Sequence, residues 1–272
     1  MTTTARAAAA RTPAGDGVHA TARVHAAFNG RVTTLPRLRS DGPFHLRRLR
    51  SHGARARVCV IGAMSAPLGG DRLAIDVTAE DHADVCVTTA AATIALRGPT
   101  TGHATYDVTL SVGDHGTVWW LPQPLISTRD SNLRQTCAVD LAPTARLVLR
   151  EEQVLGRAGE PPGRLSTRLT VTRAGRPLLD QHNSYGPAAP GWDGPAVLGG
   201  HRVTGQLLIV DPRFAASPPS PRLLGDDRAE GRGTLVPLAG PAALVTVVAP
   251  TPARLRAMLD TAARPLTGPL TT

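Results

Sequence analysis

The sequence predicts a mainly β protein: a layered, sandwich-like structure of many strands with a few short helices, one of them near the C-terminus. Three observations predict it. Apolar and polar residues alternate over short runs along most of the chain, the period of a strand with one buried face. Turn signals separate those runs at spacings of about 8–12 residues, as in sandwiches and other layered β folds. Gly (27) and Pro (24) are abundant, and both lower the stability of helix interiors.

The elements follow in order. Residues 1–20 are rich in Ala, Thr and Arg without periodicity, and are predicted to form a disordered tail before a single β-rich domain over 21–270. Residues 58–61 read as a strand. The turn Gly69-Gly70-Asp71 precedes Leu73, Ile75 and Val77, which share one face, and Val85 and Val87 repeat the pattern. Tyr106, Val108, Leu110 and Val112 alternate with Thr105, Asp107, Thr109 and Ser111, and Gly113-Asp114 ends that run. Further strands are expected at 118–121, 133–141 and 145–155. At 164–173, Leu165, Thr167, Leu169 and Val171 form one face, and Ala174-Gly175 turns the chain into a strand at 178–181. Residues 184–200 read as a loop with at most a short helix, and 216–233 as a flexible connection. Strands at 203–210 and 244–248 flank a segment ending in Pro237, whose missing N–H predicts an edge strand. A C-terminal helix is predicted from Thr251 as N-cap, Pro252 at the first helical position, and the stripe Leu255, Met258 and Leu259.

The formal charge is +9, and every one of the 30 basic residues is arginine. The absence of Lys excludes Schiff-base chemistry and the usual phosphate-binding loops. The arginines are scattered, and aromatics make up only 3% of the chain, so stacking on bases is poorly served and no nucleic-acid partner is expected. The one dense cluster comprises Arg37, Arg39, Arg47, Arg48, Arg50, Arg55 and Arg57. It suits an acidic protein partner, because the guanidinium fork matches carboxylates. No apolar run is long enough to span a membrane, and no secretory signal is evident. Three cysteines without a C-x-x-C pair suit a cytoplasmic protein. No nucleophile, metal or dinucleotide motif is present and the nine histidines lie far apart, so the chain is expected not to be an enzyme and to hold no tightly bound cofactor.

The carboxylates carry more information. Asp71 either closes its own turn through a side-chain bond to backbone, with the glycines supplying positive φ, or serves as an oxygen ligand on an ion path. Glu151 and Glu152 are adjacent in a strand, so one of them should face inwards, where it must be paired, hydrated or metal-bound. Arg150 or Arg157 is the expected partner. Cys59, Cys86 and Cys137 are expected to act as small hydrophobes.

A series of short motifs then adds a resemblance. Ser65-Ala66-Pro67-Leu68-Gly69-Gly70-Asp71-Arg72-Leu73 is followed by Val87-Thr88-Thr89-Ala90-Ala91-Ala92-Thr93. Next come Trp120-Leu121-Pro122-Gln123-Pro124, Val139-Asp140-Leu141-Ala142-Pro143, Leu155-Gly156-Arg157, Gly163-Arg164-Leu165 and Gly175-Arg176-Pro177-Leu178. Their order and spacing over about 25–260 resemble the UreD (UreH) family of urease accessory proteins. The resemblance implies a layered β fold and a non-catalytic role in urease maturation. The implied partners are urease apoprotein and UreF-like and UreG-like accessory proteins, with nickel passing in transit to the urease active site. Carried over by motif, Asp71 and Glu151 are the candidate nickel-passage residues, with Asp140, Gly69 and Gly70 as secondary candidates. The chain departs from the family pattern at Ala90 to Ile94, where the usual Gln and Lys are absent.

Overall fold

A computed structural model describes residues 17–270 apart from 52, 100, 101, 226 and 228. Most of the expected 1–20 tail therefore lies outside the described residues, while His19 and Ala20 already belong to the first strand.

The strands in chain order are β1 (His19–Phe28), β2 (Thr33–Arg39), β3 (Phe44–Leu49), β4 (Ala56–Gly62), β5 (Arg72–Ala79), β6 (Asp84–Thr89), β7 (Thr93–Ala95), β8 (Ala104–Val112) and β9 (Thr117–Leu121). They continue with β10 (Leu125–Ser127), β11 (Asn132–Leu141), β12 (Arg146–Leu155), β13 (Arg164–Arg173), β14 (Arg176–Tyr185), β15 (Val203–Val210), β16 (Arg222–Leu224), β17 (Arg232–Pro237) and β18 (Ala242–Ala249). One α-helix, α1 (Pro252–Thr267), closes the described chain.

These strands form two facing sheets. The first has the order β14-β13-β11-β8-β5-β1-β2, and the second β16-β17-β18-β15-β12-β9-β6-β4-β3. From β4 to β13, apart from the short β7 and β10, which pair with each other and, through β10, with β12 in the second sheet, the chain alternates between them, so consecutive strands of one sheet are joined through a strand of the other. Each sheet is consequently parallel in its centre. Ile75, Val108, Cys137 and Leu169 lie side by side in the first sheet, and Val58, Val87, Trp120 and Leu149 in the second. All eight are buried and belong to one core between the sheets. This coil explains an unusual feature. Parallel sheets normally carry helices on both faces, but here the return path is the opposite sheet, which covers only the inner face. The outer face of the first sheet stays in solvent, and its strands show the simple alternation seen in the sequence, as in β8 and β13.

The second sheet differs because α1 packs on its outer face. Leu255, Met258, Leu259, Ala262 and Ala263 of the helix join Leu207, Ile209, Val245 and Val247 in a second core. The helix begins as predicted: the Thr251 side chain accepts a bond from Arg254 N, with Pro252 in the first turn. Two expectations are corrected. The 216–233 connection contains β16 and the start of β17, because 222–224 pair antiparallel with β17. The strand ending in Pro237 is not the edge: β17 pairs with β18 and is flanked by β16. Pro237 is accommodated because three-residue β16 stops opposite Leu235 and leaves the proline without a neighbour on that side.

Candidate functional site

Polar side chains gather where the core should be apolar, on and around β12. This strand is buried along nearly its whole length, since the first sheet covers one of its faces and α1 the other. Both Glu151 (5% exposed) and Glu152 (4%) are therefore inaccessible, whereas the sequence expectation placed only one of them inside. The physical reason is the helix, whose docking position no local pattern reveals.

Glu151 faces the interior between the sheets. Gln206, directly opposite on β15, donates from Nε2 to Glu151 Oε2 at 2.8 Å. Burial pushes the Glu151 carboxyl above its usual range, and the Gln206 bond offsets part of that. The neighbouring Cys137 thiol is pushed well up, first by burial and then by the Glu151 charge. The inward side chains continue across the sheet in register. Glu151 lies opposite Gln206, Gln206 opposite Thr246, Thr246 opposite Thr234, and Thr234 opposite Leu223 of the edge strand. Thr234 and Thr246 share a hydroxyl hydrogen bond of 3.0 Å. A polar row thus runs from a buried carboxyl to the sheet edge, where Leu223 is 83% exposed. Gln206, Thr246, Thr234 and Leu223 of this row, though not Glu151, line a cavity of about 720 Å³ whose walls also include Gln153, Gln181, Asn183 and Tyr185. Gln181 Oε1 is buried without a hydrogen-bond partner among the described residues.

Glu152 points the other way, under α1. Arg256 of the helix donates to it from Nε at 3.0 Å and Nη2 at 2.6 Å, and to Gln123 Oε1 from Nη1 at 2.8 Å. Arg150, 1% exposed, places Nε 3.1 Å from Glu152 Oε1, but out of line for a hydrogen bond. Its Nη1 reaches Asp260 at 3.4 Å. Burial lowers the Arg150 pKa and raises that of Asp260. Arg150 is thus the expected partner of one glutamate, and it is Glu152. Arg157 instead holds Glu160 through two side-chain bonds, which depress the Glu160 carboxyl to about 2.

Asp71 sits at the start of β5 and is 3% exposed. Its Oδ1 accepts from Val18 N and its Oδ2 from Leu68 N, both at 2.8 Å, while Asp71 N donates to Leu68 O. Both oxygens thus hold backbone, tying the turn to the start of β1. The glycines make the turn feasible. Gly70 has φ +99°, and a Cβ on Gly98 would lie 2.3 Å from Gly69 N, so the two chains touch backbone to backbone. Asp140 is exposed on the outer face of the first sheet, in register with Ser111 and Thr172. The structure therefore does not gather Asp71, Glu151 and Asp140 at one point. Among the described residues there is no group of three or more His, Cys, Asp or Glu side chains arranged to hold a metal. Sequence reading missed Gln206, Thr246 and Arg256, whose only signal is pairing across 12 to 104 positions.

Two β layers with a polar row beside a cavity, and one helix clamped by buried ion pairs, define a β scaffold. The residues 18–271 match the family described as UreD urease accessory protein. The chain is 67% identical to urease accessory protein UreD 2 of Saccharopolyspora erythraea, over 98% of this chain and 94% of that protein. It is 57% identical to urease accessory protein UreD 3 of Streptomyces griseus, over 92% of this chain and 97% of that protein. With urease accessory protein UreD of Parafrankia sp. it shares 36% identity, over 95% and 92%. The chain belongs to the UreD urease accessory protein family, which supplies maturation factors rather than enzymes.

Proposed function

We propose that this chain acts in the cytoplasm as a maturation scaffold, binding urease apoprotein together with UreF-like and UreG-like partners and assisting nickel insertion. The polar row from the Leu223 edge to Glu151, beside the 720 Å³ cavity, is the observation that supports a route for the ion. Nickel in transit needs oxygen and nitrogen groups that bind it weakly and release it. Hydroxyls of Thr234 and Thr246, the Gln206 amide and a carboxyl that gains its charge only with difficulty meet that need. Glu151 is the proposed passage residue. Asp71, whose oxygens are both engaged by backbone, keeps the turn in place. Three free cysteines among the described residues support a reducing compartment.

The test couples two measurements. Pull-down with a UreF-like partner should recover the complex from parent, Glu151→Gln and Thr246→Val chains alike. Urease matured with either variant should contain less nickel than urease matured with the parent. Full nickel loading with both variants would overturn the passage, and full urease activity in a host lacking this gene would overturn the maturation role itself.

A further inference from the structure

A second concave feature lies away from the polar row, at the end of the first sheet where its parallel strands begin. Arg72, Thr105, Arg134 and Ser166 are in register at that end, and Asn132 pairs with Arg164. A cleft of about 470 Å³ opens there, with Arg97, Arg129 and Arg164 on its walls and Gly69 of the Asp71 turn on its border. Pro99, Pro161 and Pro187 stiffen the rim, since a pyrrolidine ring fixes φ.

The charge here is unbalanced. Among the described residues, none of the three cleft arginines has an ion-pair partner. Arg72 bonds only the carbonyls of Asp71 and His103. The nearby carboxylates are committed elsewhere: Asp71 to two backbone N–H groups and Glu160 to Arg157. Among the described residues, Asp130 is the carboxylate on the cleft wall, and the ionised Glu160 also accepts from Arg129 N at 3.4 Å. Three arginines on the wall of one concavity suit a compact, doubly charged oxyanion, because each planar fork can donate two parallel bonds to it.

We infer that the Arg97, Arg129 and Arg164 cleft is an oxyanion site taking a phosphoryl group, either as free phosphate or at the end of a small phosphomonoester. The site is independent of the nickel reading, and neither depends on the other.

Isothermal titration of the full chain with inorganic phosphate, and separately with glycerol phosphate, tests it. The parent should bind at least one of them, and the stronger ligand identifies the source. Arg129→Ala/Arg164→Ala should weaken that binding at least tenfold. Arg37→Ala/Arg176→Ala, which removes equal charge from exposed positions outside the cleft, should leave it within twofold. Circular dichroism checks that both variants keep the fold. Equal weakening by the two double variants would reduce the effect to overall charge and overturn the site, as would an absence of binding by the parent to either ligand at concentrations on the order of 10 mM.

Discussion

At the scale of single residues, Glu151 and Glu152 show how one step along a strand changes the physics of a carboxylate. Glu152 meets a bidentate Arg256 and a buried Arg150, so its charge is compensated. Glu151 meets an amide, which satisfies a hydrogen bond without supplying a counter-charge. Its pKa is therefore raised above the unfolded value of 4.5. A carboxyl with a raised folded pKa contributes fully below the unfolded pKa, and that stability is lost as the pH rises through the folded value. Glu151→Gln keeps a partner for Gln206 and removes the charge. Urea unfolding should therefore find the variant more stable than the parent at pH 8, because only the parent must hold an ionised carboxyl in the buried site. The gap should close as the pH falls towards 4.5. A gap that is constant with pH would mean that the carboxyl ionises without penalty. The adjacent glutamates themselves were legible in the sequence. Of their partners Arg150 was legible as well, but Gln206 and Arg256 were not, because they lie 55 and 104 positions away.

At the scale of elements, strands with one wet face were read well, and α1 shows both the reach and the end of local reading. Its cap and apolar stripe were visible in sequence. Its landing place was not. Gly205 of β15 makes the landing possible: a Cβ there would stand 2.8 Å from Leu255 Cδ2 and 2.9 Å from Glu151 O. Overpacking of a filled core costs about 1–3 kcal/mol. Gly205→Ala should therefore lower the denaturation midpoint, and Gly205→Ala/Leu255→Ala should lose less than the sum of the two single losses. Strict additivity, measured as a double-mutant cycle, would place the helix elsewhere. Pro237 teaches the complementary lesson. Its chemistry correctly announced a missing neighbour, but the neighbour is missing for one residue only, because β16 is short.

At the scale of the whole molecule, the two cores share the strands of the second sheet, so neither can come apart without exposing the other. The chain should unfold in one transition. Tryptophan fluorescence, reporting Trp119 and Trp120 on β9, and far-ultraviolet circular dichroism should give the same denaturant midpoint. An earlier loss of helix signal alone would make α1 a separate unit. The Arg37 to Arg57 cluster also takes its meaning at this scale. Arg55 is held by Asp84 and lies over the Trp119 ring, whereas Arg37, Arg39 and Arg47 are exposed on the edge strands β2 and β3.

The amino-acid sequence by itself determined the β class, most strand positions, the capped C-terminal helix and, through its ordered motifs, the family. These depend on interactions between near neighbours, alternation, turn chemistry and capping, which a linear reading contains. Only the tertiary structure decided that the strands coil between two sheets, that both glutamates of β12 are buried, that Asp71 holds backbone, and that Glu151 begins a polar row. Each of these depends on which distant strand or helix supplies the opposite surface. Burial and pairing are properties of that surface and not of the residue alone.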